Sequence, residues 1–280
     1  MGILDKDTIE NHILSNLSIG LRGKECTTCL LVEIVELILY RLKTGCQWRE
    51  LPTKQFFTQQ VLTWQGVYYH FNEWVKDGSW QKVWISILKG NRKSLDLSCI
   101  QLDGSHTAAK NGGDAIGYQG RKACRTTNSL FLADNNGQML ACSSPQEGQH
   151  HDLFNIQILF EELCNILSKA GIEIKGLFLN ADSGFDSEEF RKICKDKEIE
   201  ANIPTNLRNN NEGNIEEKKL KYQYFDEELY KHRVVIEHAN AWIDSFKALL
   251  IRFETKTDNW VALLLIAFSI RFLKNIKKNN

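Results

Sequence analysis

Three carboxylates carry the strongest chemical signal in this sequence: Asp103 in CIQLDGS, Asp182 in GLFLNADSG and Glu237 in RVVIEHANAW. Asp103 closes a short apolar run with Ile100 and Leu102, and Asp182 closes another with Leu177, Phe178 and Leu179. Each is followed at once by Gly and Ser, in one order or the other, so both read as strand-end residues, where α/β sheets present ligand-binding groups. If the two strands are neighbours, their carboxylates project from one edge and can share a hard divalent cation, which takes oxygen ligands. Glu237 lies among Val235, Ile236, Ala239 and Trp242 in a helical pattern, with Arg233 one turn before it, and would complete the set. Three such carboxylates can hold two Mg2+ ions roughly 3.5 to 4 Å apart, with Mn2+ as a substitute, and so activate a water or a 3′-hydroxyl for in-line phosphoryl displacement. Taken singly, each residue has a plainer role: Asp103 and Asp182 as turn formers, Glu237 as the ion-pair partner of Arg233.

A site that displaces phosphoryl groups on a polymer would also have to grip the phosphates that flank the scissile one. Lys110, Arg121, Lys122 and Arg125 surround a glycine-rich stretch, residues 112–120, that can approach a backbone closely or form a solvated hairpin. Arg233 can fix the Glu237 carboxylate and also hold a phosphate. His106 is placed to orient a water or to sit as an ordinary surface histidine. In His150-His151-Asp152 the expectation is a helix start with Asp152 at the N-cap rather than a metal site.

The elements that must position these groups follow from periodicity and turn residues. Apolar residues at helical spacing run from residue 8 to about 43, interrupted by a turn at 20–24, and the segment 48–88 reads as two further helices, starting near Thr58 and at Ser79, around a Lys76-Asp77-Gly78 turn. This is a small helical module of the helix-turn-helix kind, residues 1–95, whose many aromatics are mostly core by their spacing. From residue 96 the texture changes to a mixed α/β order: strands in CIQLDGS, NSLFLADN and GQMLACSS, the last two a hairpin through Asn135-Asn136-Gly137, then a helix over 153–170, a strand in IKGLFLNAD, a helix over 187–197 and a strand in IEANIP. Residues 206–221 read as a polar loop, followed by one long helix over 233–253 and a terminal helix.

The chain has 280 residues, 42% of them hydrophobic and 25% charged, an ordinary globular balance. Its formal net charge is zero, against the basic excess usual for phosphate binding, but the acidic residues concentrate in the middle third, as a cation-holding segment would require. The start MGILDKDTIENHIL lacks a secretory pattern, and the apolar run 260–270 is short of the roughly 20 residues of a membrane span, so a buried helix and a cytoplasmic protein are expected. The eight cysteines are accordingly read as free thiols, and Cys26-x-x-Cys29 has no second pair to make a zinc site.

Three blocks, LDGSHTAAKNGGDAIGYQGRK, NADSGFDSEEF and YKHRVVIEHANAWIDSFKALLIRFE, together with WRELP and the tryptophan-rich segment, resemble the DDE transposases of bacterial insertion sequences, in particular the insertion sequence 5 family. The resemblance covers the chain from about Leu30 to the last helix. It implies an RNase H-like core over residues 96–280, with Asp103, Asp182 and Glu237 as catalytic triad, and cutting and joining of double-stranded DNA at transposon ends and target. It also implies a homodimer that pairs two ends, in a bacterial, nucleoid-associated setting. The family pattern Tyr-x2-Arg-x3-Glu-x6-Lys is met by Tyr230, Arg233 and Glu237, but Asp244 stands at the lysine position, leaving Lys247 as a substitute for the DNA contact. The alternatives are a DNA-binding regulator or inactive remnant without catalysis, or a nuclease that cuts without joining.

Overall fold

A computed structural model describes residues 3–18, 27–206 and 225–279. Cys26 and nearly all of the 206–221 loop, two subjects of the sequence reading, lie outside these residues.

The chain opens with helices Lys6–His12, Thr28–Thr44, Trp64–Lys76 and Ser79–Gly90. The Thr27 hydroxyl caps the second by accepting from Leu30 N, and Gly45, at φ 68°, ends it in the left-handed conformation. After the short helix Thr53–Phe56, the next long helix begins at Trp64, not near Thr58 as the sequence suggested. Thr58 is pinned instead: its backbone N (3.0 Å) and its hydroxyl (2.6 Å) both donate to the buried Glu33 carboxylate. Asp77 and Gly78, the latter at φ 72°, form the sharp turn between the next two helices. Phe71, Trp74, Trp80 and Trp84 are buried, as their helical spacing implied, while Trp48, Trp64 and Tyr68 are half-buried.

The described strands form one mixed sheet: β1 Cys99–Ala108, β2 Gly117–Gln119, β3 Cys124–Ala133, β4 Met139–Cys142, β5 Gln146–Glu147, β6 Phe178–Asn180 and β7 Glu200–Asn202. β2, β4 and β5 pair with β3, which runs antiparallel to β1; β1, β6 and β7 are parallel neighbours. This is the RNase H-like mixed sheet that the resemblance implied, and the predicted hairpin between β3 and β4 is present, with Gly137 at φ 74°. Helices Ile156–Lys169 and Glu188–Asp196 flank the sheet.

A buried amide ladder crosses the parallel strands. Asn180 donates to Gln101 Oε1 (3.0 Å), and Asn202 donates to Asn180 Oδ1 (2.8 Å). The same two amides donate to the carbonyls of Leu229 and Asp226, which fastens the helix Glu227–Lys231 across the strand ends. A satisfied polar network inside a core fixes one arrangement and tolerates few others. The helix that follows spans Val234–Ile243 and is separated from Lys247–Leu250 by a break at residues 244–246, where one long helix was expected. Phe246, at φ −84° and ψ 108°, leaves the helical conformation there and buries its ring beside Trp242.

The terminal helix Thr257–Asn279 is buried, as expected, but longer than the apolar run suggested. By length and composition residues 257–277 could cross a membrane, yet 72% of the 18-residue apolar window within them is buried inside the protein. Phe268 lies edge-on to Trp84 of the Ser79–Gly90 helix (5.7 Å) and to Phe131 of β3 (6.3 Å), and Trp84 Nε1 donates to Leu140 O of β4. The N-terminal helices and the sheet therefore share one hydrophobic core. The seven cysteines among the described residues are free, and burial pushes the Cys99, Cys142 and Cys194 thiols up to about 12, as expected of inert core thiols.

Candidate active site

β1 and β6 pair in the register Gln101↔Asn180, so two residues further along, Asp103 and Asp182 leave the same edge of the sheet side by side. The Asp182 Oδ1 atom accepts from Gly184 N (2.8 Å) and caps the short turn of 3-10 helix at Ser183–Phe185, which fixes that carboxylate in place. Asp103 is held from the facing helix: Arg233 Nη2 donates to its Oδ1 (3.0 Å) and Asn240 Nδ2 to its Oδ2 (3.1 Å). Arg233 Nη1 donates to Glu237 Oε1 at 2.7 Å, so one guanidinium joins the first and third carboxylates of the proposed triad. The Glu237 side chain is 56% exposed, although its sequence neighbours Val235, Ile236 and Ala239 are apolar.

Burial pushes the Asp103 carboxyl up to about 6; the nearby Arg233 charge opposes this, while Asp182 and Asp152 add to it. Arg233 is shifted up: its burial works against the charge, but Asp103, Glu237 and Asp182 outweigh that loss. The raised Asp103 value favours the fold most below about pH 4, and that contribution is lost as pH rises through about 6. The expected result, in chelator, is that the melting temperature of wild type minus that of Asp103→Asn falls between pH 4 and 7. A difference that stays flat over this range would contradict the burial of this carboxyl.

Beside Asp182 lies a cavity of about 490 Å3, lined also by His106, Gln119, Arg121, His151 and Asp152 among others. Among the described residues no three His, Cys, Asp or Glu side chains stand close enough, as placed, to share one ion. The donors nonetheless suit a hard divalent cation in kind, being carboxylate oxygens, and the Arg233 guanidinium already stands as a positive charge between Asp103 and Glu237.

A family model described as "Transposase DDE domain" matches residues 92–272, and one described as "Putative transposase of IS4/5 family" matches residues 20–84. The chain belongs to the DDE transposases. Over 78 residues this chain is 33% identical to the "Putative transposase for insertion sequence element IS402" of Burkholderia cepacia; the match spans 28% of this chain and 30% of that relative. Among solved structures it is similar to a Mos1 transposase paired-end complex with left transposon end (11% identity, 83% of each chain, TM-score 0.30). It is also similar to a pre-cleavage Mos1 transpososome (13% identity, 93% of this chain and 82% of that one, TM-score 0.31).

The structure gathers Asp103, Asp182, Arg233 and Tyr230, whose hydroxyl is shifted up by burial and feels the charges of Arg233, Asp182 and Glu237. Arg121 reaches the cavity from the turn after β2, and Lys122 Nζ donates to His106 O at 2.6 Å. Thus the glycine-rich stretch does end in a hairpin, β2 with β3, that leans over the site. Arg125 is exposed on β3 opposite Tyr118, and the exposed Lys110 is tied through its backbone N to Arg252 O. Lys247 does not line the cavity; it begins the helix Lys247–Leu250, with its backbone against Gly45. The lysine whose charge acts on Asp244 is Lys122. Asp152 is not a helix cap, because the helix starts at Ile156 after Asn155, which is left-handed at φ 54°. Asn240, one turn beyond Glu237, was not singled out in the sequence, although its i+3 spacing from Glu237 puts it on the same helix face.

Proposed function

We propose that this protein is a DNA transposase that cuts double-stranded DNA at the ends of an insertion sequence and joins the freed 3′ ends to target DNA, using Asp103, Asp182 and Glu237. The observation that carries this most is the pairing of β1 with β6, which sets Asp103 beside Asp182 within a chain of the DDE family. Two divalent ions, Mg2+ with Mn2+ as a substitute, would be held by these three carboxylates and would supply Lewis-acid activation of the attacking oxygen and charge neutralisation at the leaving one.

The chain's own groups have separable tasks. Asp182, whose Oδ1 accepts from Gly184 N, and Asp103, aligned by Asn240, present their oxygens at the sheet edge that the scissile phosphate would approach. Arg233, free to exchange its carboxylates for a phosphate, holds the strand next to the break, and Tyr230 packs beside it. Arg121 and Lys122 on the hairpin, with Lys110 and Arg125 behind them, contact flanking phosphates, and Lys247 extends the contact along the DNA. A water oxygen forms the first new bond to phosphorus as the bond to the 3′ oxygen breaks; that 3′-hydroxyl then attacks a target phosphate and releases its 3′ oxygen. Two ends must meet for this outcome, so the working form is a homodimer on DNA. We place the helical DNA-binding module at residues 1–95 and the catalytic part at 96–280.

The test is incubation of the purified protein with a fragment bearing the element's own ends and a target plasmid, in Mg2+, Mn2+ or EDTA. Metal-dependent nicks together with joined products are expected. End binding without cutting in either metal would point to a regulator or inactive remnant, and cutting without joining to a nuclease.

A further inference from the structure

Asp152 precedes the helix Ile156–Lys169 in sequence, yet it is drawn away from that helix and onto β1 and β3. Asn128 Nδ2, buried on β3, donates to its Oδ1 at 2.8 Å. Its carboxylate lies so close to the Gly104 Cα that any Cβ there would collide with both oxygens. Gly104 follows Asp103 on β1, so its missing side chain lies on the opposite face of the strand from the Asp103 carboxylate, the face of His106, and this opening lets a further acid pack against β1 beside Asp182. Asp152 lines the same cavity as Asp182, and both add to the negative field on Asp103. Among the described residues Asp152 takes part in no ion pair, whereas Arg233 is already engaged with Asp103 and Glu237. Like charges brought together in a half-buried place destabilise one another unless a cation joins them.

We propose that Asp152 is a fourth carboxylate of this active site, a positioning residue that retains the hydrated divalent ion at Asp103 and Asp182 through its bound waters. The proposal rests on the metal-dependent mechanism above. Mg2+ gives up its water reluctantly and keeps several molecules when bound, so carboxylates beyond direct reach still act on it, and the cavity of about 490 Å3 that Asp152 and Asp182 line has room for those waters. Outer partners of this sort alter metal affinity about 10- to 100-fold when removed. Gln149, His150 and His151 arrive with Asp152 on the same segment, and Gln119 approaches His106 from β2, so the wall facing the aspartates is polar and suited to ordering water.

Asp152→Asn removes the charge and keeps an oxygen to accept from Asn128, so the fold should survive; Asp152→Glu keeps the charge. Mn2+ binding to the full-length protein without DNA, monitored by loss of the free-ion EPR signal, separates the two. Asp152→Asn should bind Mn2+ about tenfold or more weakly, with an unchanged melting temperature, and should need correspondingly more Mg2+ for half-maximal cleavage. Asp152→Glu should recover part of that affinity. Wild-type Mn2+ affinity in Asp152→Asn, with Asp103→Asn weakened, overturns the assignment and leaves the triad standing. Equal losses in the Asp152→Asn and Asp152→Glu variants also overturn it, because they indicate a packing role. Wild-type affinity in Asp103→Asn as well would overturn the metal-dependent mechanism and this proposal with it.

Discussion

Asp103→Asn and Asp182→Asn should each lower the rate of end cleavage by more than about a thousandfold, equivalent to about 4 kcal/mol of barrier, while end binding stays within a few-fold of wild type. Each substitution preserves the side-chain shape. In Asp182→Asn the amide oxygen can still accept from Gly184 N, so the capped turn after β6 survives, and Asp103→Asn keeps an oxygen for Arg233 or Asn240. What disappears is the negative charge that the two parallel strands bring to one edge. Single-turnover cleavage of a labelled fragment, beside its binding measured by anisotropy, separates chemistry from affinity. Cleavage within tenfold of wild type in either variant would remove that aspartate from the chemistry.

The second large effect concerns stability. Arg41, on the helix Thr28–Thr44, donates through Nη2 to Glu254 at 2.5 Å, with side-chain exposures of 7% and 10%, and its guanidinium lies 4.4 Å from the Trp48 ring. Burial shifts the Arg41 guanidinium down, and the Glu254 charge is the main influence that offsets this. Glu254 sits in a segment fastened to the end of β1 by Arg252 N to Ala108 O and Lys110 N to Arg252 O. The buried Arg252 side chain adds bonds to Thr127 Oγ1, Asp114 O and Glu254 O. Glu254→Ala would leave a buried cation without its partner and should cost about 3–5 kcal/mol in denaturant unfolding. The double variant Arg41→Met with Glu254→Leu should recover most of this, since apolar replacement of a buried pair is often near neutral. A loss below about 1 kcal/mol for Glu254→Ala would mean that solvent already screens the pair.

The parts of the fold legible in the sequence were those with a long enough pattern. β1, β3 and β4 carry buried runs such as 130–133 and 139–142, bounded by Gly and Asn, and these strands lie where the pattern puts them. β2 and β5 have three and two residues and exist only because β3 is long enough to pair with them, which no local pattern announces. The break at residues 244–246 is invisible in the sequence because the 3.6-residue period runs on through it, and the ring of Phe246 decides the matter by tertiary packing. Thr58 shows the same limit, since its tie to Glu33 spans 25 residues.

For the site, the strand-end positions of Asp103 and Asp182 were visible because a carboxylate straight after an apolar run is a recognisable pattern. Asp152 was misassigned because a short polar residue before a helix has the same appearance whether it caps that helix or bonds elsewhere, and only Asn128, 24 residues away, distinguishes the two. Glu237 presented the opposite difficulty. Its apolar neighbours in sequence do not reveal that the helix turns it outward, and Arg233 is what links it to Asp103.

Glu237 reaches Asp103 through the Arg233 guanidinium. The most direct measurement is therefore single-turnover cleavage of an end-bearing fragment in Mg2+ by wild type and Glu237→Ala, with binding recorded in parallel. A loss of cleavage exceeding about a thousandfold at nearly unchanged binding is the result predicted for three carboxylates acting as one site. Cleavage by Glu237→Ala at a rate close to wild type would contradict it and leave Glu237 as no more than the ion-pair partner of Arg233.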